Sequence, residues 1–419
     1  MQSIIERAAK MERNGLANGI FRKGFFIVFM IIVNAFSWYF PLHKFFTDKL
    51  GSIQIEHTLF VAAYGVYYVA VITFAVAGTI VVHKNISRER LLSSWMFVGV
   101  VASFLLAPFE AFQTQIIYVF VAAFTLGVSL GLGFPSCLAY FSDHASIEQK
   151  GRLGGITYCV ASIGIFLMGL LTMVLPSFDS MLVFALWRIV GLVVFILAKP
   201  KKGIMEEQRN VSYKDIIRER SFLLYLVPWI MFCLVNFLEA AVLKSLFGAD
   251  FYNLTPVMEF GVGSIAALIG GVFADLVGRK RIVIFGYVML GIGYAILGLF
   301  PDQMFSWYFY IAVDGIAWGI FALIFFITIW GELAAYRTKD KYYFLGVLPF
   351  LASTYIEILF EPYAKTISVS AYFSLASLFL FLAVLPLMYA PETLPEKKIK
   401  QMELKGYIEK AKRTKEKYT

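Results

Sequence analysis

Apolar runs of about 20 residues recur twelve times along this sequence, and nothing else in it constrains the fold so strongly. They fall at about 24–42, 58–82, 91–108, 116–141, 153–175, 181–198, 222–246, 255–277, 282–300, 307–330, 344–365 and 369–390. A run of that length crosses the hydrocarbon core as a helix, at about 1.5 Å per residue. Inside a bilayer the helix is the form that satisfies its own backbone donors and acceptors. The chain is therefore expected to be an all-α membrane protein with twelve transmembrane helices. Hydrophobic residues make up 60% of the sequence and charged residues 16%, against roughly 45–50% and 25% in soluble chains. The net charge of +9 does not point to nucleic acid, because the basic residues sit in short connections and tails. Cys137, Cys159 and Cys233 all lie within apolar runs. They have no metal-binding spacing and read as packing residues.

The order of segments follows from these runs. Residues 1–23 form a basic amphipathic arm, 24–198 a first set of six spans, and 199–221 a polar linker. Residues 222–390 form a second set of six, and 391–419 a charged tail. The arm has no signal-peptide core, so the first span is expected to stay as an uncleaved anchor. Of the 37 Lys and Arg residues, all but five lie in the arm, the tail or the alternate connections. Lys44, Lys49 and Lys365 lie on the opposite side, and Arg188 and Lys244 lie within spans. That bias puts both termini and the linker in the cytoplasm, with the cell membrane as the expected location.

The two sets repeat. Val33-Asn34-Ala35-Phe36 in the first span matches Val235-Asn236-Phe237-Leu238 in the seventh. Gly127-x-x-x-Gly131 matches Gly315-x-x-x-Gly319, and Leu153-Gly154 matches Leu345-Gly346. The offsets are all about 190–200 residues, which implies two six-helix halves of the same topology related by a pseudo-twofold axis. Such halves place a substrate site between them near the midplane.

The connection between the eighth and ninth spans reads Gly270-Gly271-Val-Phe-Ala-Asp275-Leu-Val-Gly278-Arg279-Lys280-Arg281. Asp275 sits in the last turn of a helix, where the dipole disfavours a carboxylate, so it needs a cation such as Arg279 at i+4. Gly278 permits the tight turn. The pattern resembles the loop signature of the major facilitator superfamily. Gly331-Glu332 with Arg337 is similar to the corresponding loop of its sugar-porter branch. Pro135, Tyr140, Asp143 and Gly151-Arg152 form a looser copy of a further loop, and Pro391-Glu392-Thr393 resembles that branch's tail motif. The resemblance implies that Gly271, Asp275, Gly278, Arg279, Lys280, Glu332, Arg337 and Arg152 latch a cytoplasmic gate. The sequence departs from the family at the second-to-third connection, His83 to Arg90, which lacks the matching Asp; the position equivalent to Asp275 is near Thr79. The fourth span has no Arg, the fifth has no Gly-Pro pair, and Lys199-Pro200-Lys201-Lys202 departs from the sugar-porter sequence.

Ionisable groups inside a bilayer are functional candidates by default. Glu239, Asp314 and Glu357 lie in the seventh, tenth and eleventh spans and are the candidates for proton coupling. The resemblance implies that these spans line the cavity. Asn236 shares a helix face with Glu239, Trp318 with Asp314, and Ser353 with Glu357. In the first half Asn34, Trp38, Tyr64, Tyr67 and Tyr158 offer aromatic rings with polar handles, suited to sugars, organic cations or flat amphiphiles. With the acids and Asn236, Trp318 and Ser353, they make up the expected substrate site. Arg188 reads as scaffold whose head group snorkels outward.

The expected function is secondary active transport of a small organic solute by alternating access, with protons as coupling ion. A drug or organic-cation exporter is the alternative within transporters. A sensor on the same scaffold would usually need a sizeable extra soluble domain, and the tail is short. Catalysis is not expected, since no His-Glu-x-x-His, nucleophile pattern or phosphate loop occurs. Neither a cofactor nor a metal is expected. The lipid bilayer is the expected surrounding partner, nucleic acid is not a partner, and the protein is expected to be a monomer.

Overall fold

The computed structural model describes residues 23–53, 57–84, 86–198, 210–252, 254–334, 338–364 and 366–395. The arm, most of the tail and Arg337 lie outside the described residues, as do the side chains of Lys244 and Glu361. Among the described residues, twelve helices are long and apolar enough to span a membrane. They are α1 (Phe25–Ser52), α2 (Thr58–Val82), α3 (Arg88–Leu106), α4 (Ile116–His144), α5 (Lys150–Val174) and α6 (Ser177–Ala198) in the first half. In the second half they are α7 (Arg220–Leu243), α8 (Phe260–Val277), α9 (Arg279–Leu299), α10 (Met304–Leu333), α11 (Lys339–Phe360) and α12 (Val369–Tyr389). The chain is a multi-pass integral membrane protein.

Packing repeats between the halves. In the first, α1 packs on α5, α2 on α4 and α3 on α6. In the second, α7 packs on α11, α8 on α10 and α9 on α12. The repeated glycines explain one of these pairs. A Cβ on Gly127 or Gly131 would run into the backbone carbonyl of Tyr67 or Val71 on α2. A Cβ on Gly319 would likewise meet the Gly263 carbonyl on α8. In each half the missing side chains let two cavity-side helices touch through their backbones. Across the halves, α5 packs on α8 and α10, and α11 packs on α2 and the end of α4.

Four helices depart from simple spans. α1 runs to Ser52 rather than ending near residue 42, and carries Lys44 and Lys49 with it. Phe45, Phe46 and Leu50 are buried along this extension. Lys44 pairs with Asp48 at 3.2 Å, and Lys49 pairs with Glu110 beyond α3. Apolar length alone ended the helix too early, because ion pairs carry it out of the bilayer. The helix containing α7 continues similarly to Tyr252. α4 is broken between Gly131 and Phe134, where Gly133 lies under the Trp95 ring and Pro135 starts the second segment. Proline at a helix start costs no hydrogen bond, so the break is local. In α10, residues Ala322–Thr328 form a wider π-helical turn. Thr328 Oγ1 donates to the Leu323 carbonyl at 2.7 Å, and Tyr343 Oη to the Ile327 carbonyl at 2.6 Å, so side chains serve backbone groups in this turn.

Candidate functional site

The face carrying the α2–α3, α4–α5, α8–α9 and α10–α11 connections is called the basic face below. Its seam is built around Asp275. At the C-terminus of its own helix this carboxylate faces an unfavourable dipole, but it reaches across to the N-terminus of α5. There it accepts from the backbone N–H groups of Gly151 and Arg152, both at 2.9 Å. Those are orphan donors of a helix start, where negative charge is favoured. Gly151 and Gly271 make the approach possible: a Cβ on Gly151 would stand 2.6 Å from the Gly271 carbonyl. Arg279 Nη1 lies 2.9 Å from Asp275, so the i,i+4 pair is present, and Arg152 Nε is 3.8 Å away.

Arg279 is fully buried. It donates to the carbonyls of Ala274 at 2.6 Å and Ile147 at 2.8 Å and pairs with Glu332 at 3.1 Å. Ile147 belongs to the first half, so this guanidinium also crosses the seam. Gly278 has φ 106°, a left-handed conformation that glycine adopts without strain. Glu392 fills the space beside it and accepts from the backbone N–H of Arg279 at 2.8 Å and of Lys280 at 3.1 Å, capping α9. Thr393 Oγ1 donates to Glu332, and Tyr225 Oη donates to the Pro391 carbonyl at 2.7 Å.

A second charged cluster was not foreseen in the sequence. Arg88, at the start of α3, bridges Asp143 of α4 and Asp340 of α11, while Lys339 also pairs with Asp143. The acid missing from the α2–α3 connection is thus supplied by Asp340, 252 residues away in sequence from Arg88. The repeat mate of Asp275, Thr79, instead shares a hydrogen bond with Tyr213. Tyr213 opens the short linker helix Tyr213–Arg218. Burial raises the Tyr213 phenol above its ordinary value, against the Thr79 hydrogen bond, which lowers it. Lys341 of α11 donates to Asn210 Oδ1 at 2.8 Å and to the Val211 carbonyl at 2.9 Å, so the linker touches both halves.

Glu239 of the second half turns into its own half. Glu239 does not face the first half. It accepts from Tyr294 Oη of α9 at 2.6 Å and from Tyr310 Oη of α10, whose rings stack at 5.3 Å. Asp314 follows Tyr310 by one turn and is equally buried. Asn236 accepts from Trp318 Nε1 at 2.9 Å. Both polar residues of this α7 face therefore tie α7 to its own half. Ser353 is buried and Glu357 half-buried on α11.

The first half shows the same turn inward. Asn34 Nδ2 donates to the Trp187 carbonyl at 2.8 Å, and Trp38 Nε1 donates to Ser103 Oγ at 2.8 Å. Arg188 does not snorkel. It has no exposed surface and donates from Nη1 to Asn34 Oδ1 at 2.8 Å. Of the expected aromatic groups, Tyr64 and Tyr67 join a ring cluster that reaches the second half. Tyr39 and Tyr67 share a hydroxyl hydrogen bond, and the His43 ring lies 5.6 and 5.3 Å from theirs. Tyr64 stacks on Tyr68 at 6.3 Å, and Tyr68 meets Tyr355 of α11 at 5.3 Å. Phe40 of α1 meets Phe260 of α8 at 5.8 Å. Tyr158 is buried in α5. Tyr39, His43, Phe40, Phe260 and Tyr355 went unnoticed in the sequence because single aromatics in apolar spans carry no periodic signal. The halves are thus joined by ion pairs and helix capping at the basic face and by ring contacts further out.

Beyond the spans, Glu110 is held below the usual carboxylate range, first by the Lys49 ammonium and then by the Ser177 hydroxyl. Among the described residues, no group of three or more His, Cys, Asp or Glu side chains is placed to hold a metal ion.

The family profile described as Major Facilitator Superfamily matches residues 24–343. No curated protein sequence matches the chain. Solved structures do. A bacterial homologue of the iron transporter ferroportin, in its outward-facing state, aligns with TM-score 0.67 at 12% identity, covering 88% of this chain and 98% of that one. The proton:xylose symporter XylE, bound to 6-bromo-6-deoxy-D-glucose, aligns with TM-score 0.66 at 13% identity, covering 88% and 96%. The human organic anion transporter MFSD10 (TETRAN) aligns with TM-score 0.60 at 12% identity, covering 87% and 99%.

Proposed function

The chain belongs to the Major Facilitator Superfamily and is a membrane transporter that works by alternating access, and from that premise we propose that it moves a small organic solute between its halves. One observation carries this reading: the two halves are joined by chemically different closures at two depths. The Asp275 and Arg88 clusters close the basic face, and the Tyr68–Tyr355 and Phe40–Phe260 contacts close the seam further out. Opening one while the other holds gives a solute access from one side at a time. Tyr39, Tyr64, Tyr67 and Tyr158 supply rings and hydroxyls along that route, which suits a solute with both apolar and hydrogen-bonding faces. In this reading the basic face, the linker and both termini are cytoplasmic, an orientation that the charge bias of the connections supports, and the protein acts as a monomer in the cell membrane.

The coupling ion in this reading is a proton, and Glu239 is its first carrier. The carboxyl is held between two phenolic hydroxyls, which can donate to it or accept from it, so it has partners with and without a proton. Asp314, one turn from Tyr310, and Glu357 on α11 are the further candidates. Among the similar folds, XylE is described as a proton:xylose symporter. The test is Glu239→Gln in liposomes, with a solute chosen by screening a library for ligands that raise the unfolding temperature. The variant should lose accumulation driven by a pH gradient and keep downhill exchange. Accumulation that persists with the wild-type pH dependence would remove Glu239 from the coupling step.

A further inference from the structure

The first half holds a buried guanidinium that the cycle described above does not use. Arg188 of α6 has no exposed surface. Trp38 and Trp95 lie against it, with ring centroids 4.9 and 4.4 Å from Cζ. Nη1 is taken by Asn34 Oδ1. Nε and Nη2 have no acceptor among the described residues. Among the described residues no carboxylate lies within ion-pair distance of Arg188.

The two unmatched donors are not scattered. Nε and Nη2 form the side-on edge of the guanidinium, where two N–H bonds run parallel at the spacing of two oxygens of one planar anion. Gly99 of α3 borders this edge: a Cβ there would stand 2.8 Å from Nε and 3.3 Å from the Trp38 ring. A side chain at this position would therefore press on the guanidinium edge. The flanking indole faces ease the burial of a cation but supply neither a counter-charge nor an in-plane acceptor. A cleft between α1 and α6, lined among others by Ile27, Met30, Val190 and Gly191, also borders Asn34, the residue that holds Nη1.

We propose that the side-on edge of Arg188 binds a small, singly charged, planar oxyanion, a carboxylate or nitrate in kind, inside the first half. A planar two-oxygen anion matches the parallel donors and supplies the missing charge. Sulfate and phosphate are disfavoured, because a second charge would have to be stripped of water among apolar walls with nothing to pair it. The anion is either a resident counter-ion or the transported solute, and the chemistry at Arg188 is the same for both.

The experiment measures thermal unfolding of the purified full chain in detergent at fixed pH and ionic strength. Sodium formate or nitrate is titrated against sodium gluconate, whose polyol chain keeps its carboxylate in water. The wild-type unfolding temperature should rise with formate and nitrate and saturate, as for a ligand that binds the folded state alone. Arg188→Gln removes the fork and should abolish the anion-specific rise. If that variant fails to fold, Gly99→Ala serves instead: it keeps the charge, crowds the edge and should weaken the anion by about tenfold or more, the loss of one charge-assisted hydrogen bond. Labelled formate entering liposomes through the wild type, and not through the variant, identifies the anion as cargo. Saturable binding without uptake identifies it as a resident counter-ion. The proposal is overturned if formate and nitrate act no differently from gluconate on the wild type, or if the variant shows the same response.

Discussion

Asp275→Asn separates the two halves' main polar contact with one atom's change. In the closed basic face the carboxylate accepts from two α5 backbone N–H groups at 2.9 Å and meets Arg279 Nη1 at 2.9 Å. Hydrogen bonds to charged groups contribute roughly 1.5–3 kcal/mol each. Asparagine offers one acceptor oxygen, keeps one N–H bond as a neutral pair, and turns an amide N–H toward the remaining donors. Arg279 retains Glu332, Ala274 and Ile147, so its own burial stays compensated. The net loss is then about 2–4 kcal/mol, well short of three full contacts. Water reaches these groups once the basic face opens, so the loss falls on the closed state alone. It shifts the closed-to-open ratio by about 30- to 1000-fold at 1.4 kcal/mol per decade. Spin labels at the exposed positions Ser146 and Arg281, one on each half, read this as growth of a longer-distance population. The unfolding temperature should fall as well, since the closed arrangement is the one that unfolds. An unchanged distance distribution together with an unchanged unfolding temperature would refute the capping role.

The second cluster should respond to charge geometry as well as to charge. Arg88→Gln leaves Asp340 without its cation and should open the basic face, while Arg88→Lys cannot serve two carboxylates from separate edges and should give an intermediate distance distribution. Glu110→Gln tests the outer ion pair. Its folded carboxyl titrates below its ordinary value, so its stabilising contribution is present above the unfolded value and lost as pH falls through the folded one. The stability difference between wild type and Glu110→Gln should be small, shrink with salt, and vanish under acid; a difference that grew on acidification would contradict the sign.

The parts legible from sequence are those in which one segment determines its own fate. Twelve apolar lengths give twelve spans, and the glycines at 127, 131 and 319 give the helix contacts, because a missing Cβ acts the same way whichever helix arrives. Asp275 was readable because its need for a partner arises within its own helix turn. The Arg88–Asp340 pair was not readable, because each residue looks like an ordinary charge at a helix start until the halves meet.

The intramembrane residues show a sharper limit. Periodicity places Asn236 and Glu239 on one face of α7, and that much holds, but it does not say which neighbour the face meets. The Tyr294 and Tyr310 hydroxyls decide it, drawing Glu239 toward α9 and α10. On the repeat-related helix α1, Asn34 is drawn toward α6 by Arg188 and the Trp187 carbonyl. A polar group in a bilayer goes to its best partner rather than to the nearest cavity, since an unmatched donor or acceptor there costs more than a reoriented helix face. The two halves therefore share a packing plan while placing a basic group behind α1 and an acidic one behind α7. The first half holds a cation with an unmatched edge, and the second holds a carboxyl between phenols. Because these groups tie α1 and α7 to the helices behind them, the proposed protonation of Glu239 or loading of Arg188 would change how each half is held together, and through that the face it presents to the other.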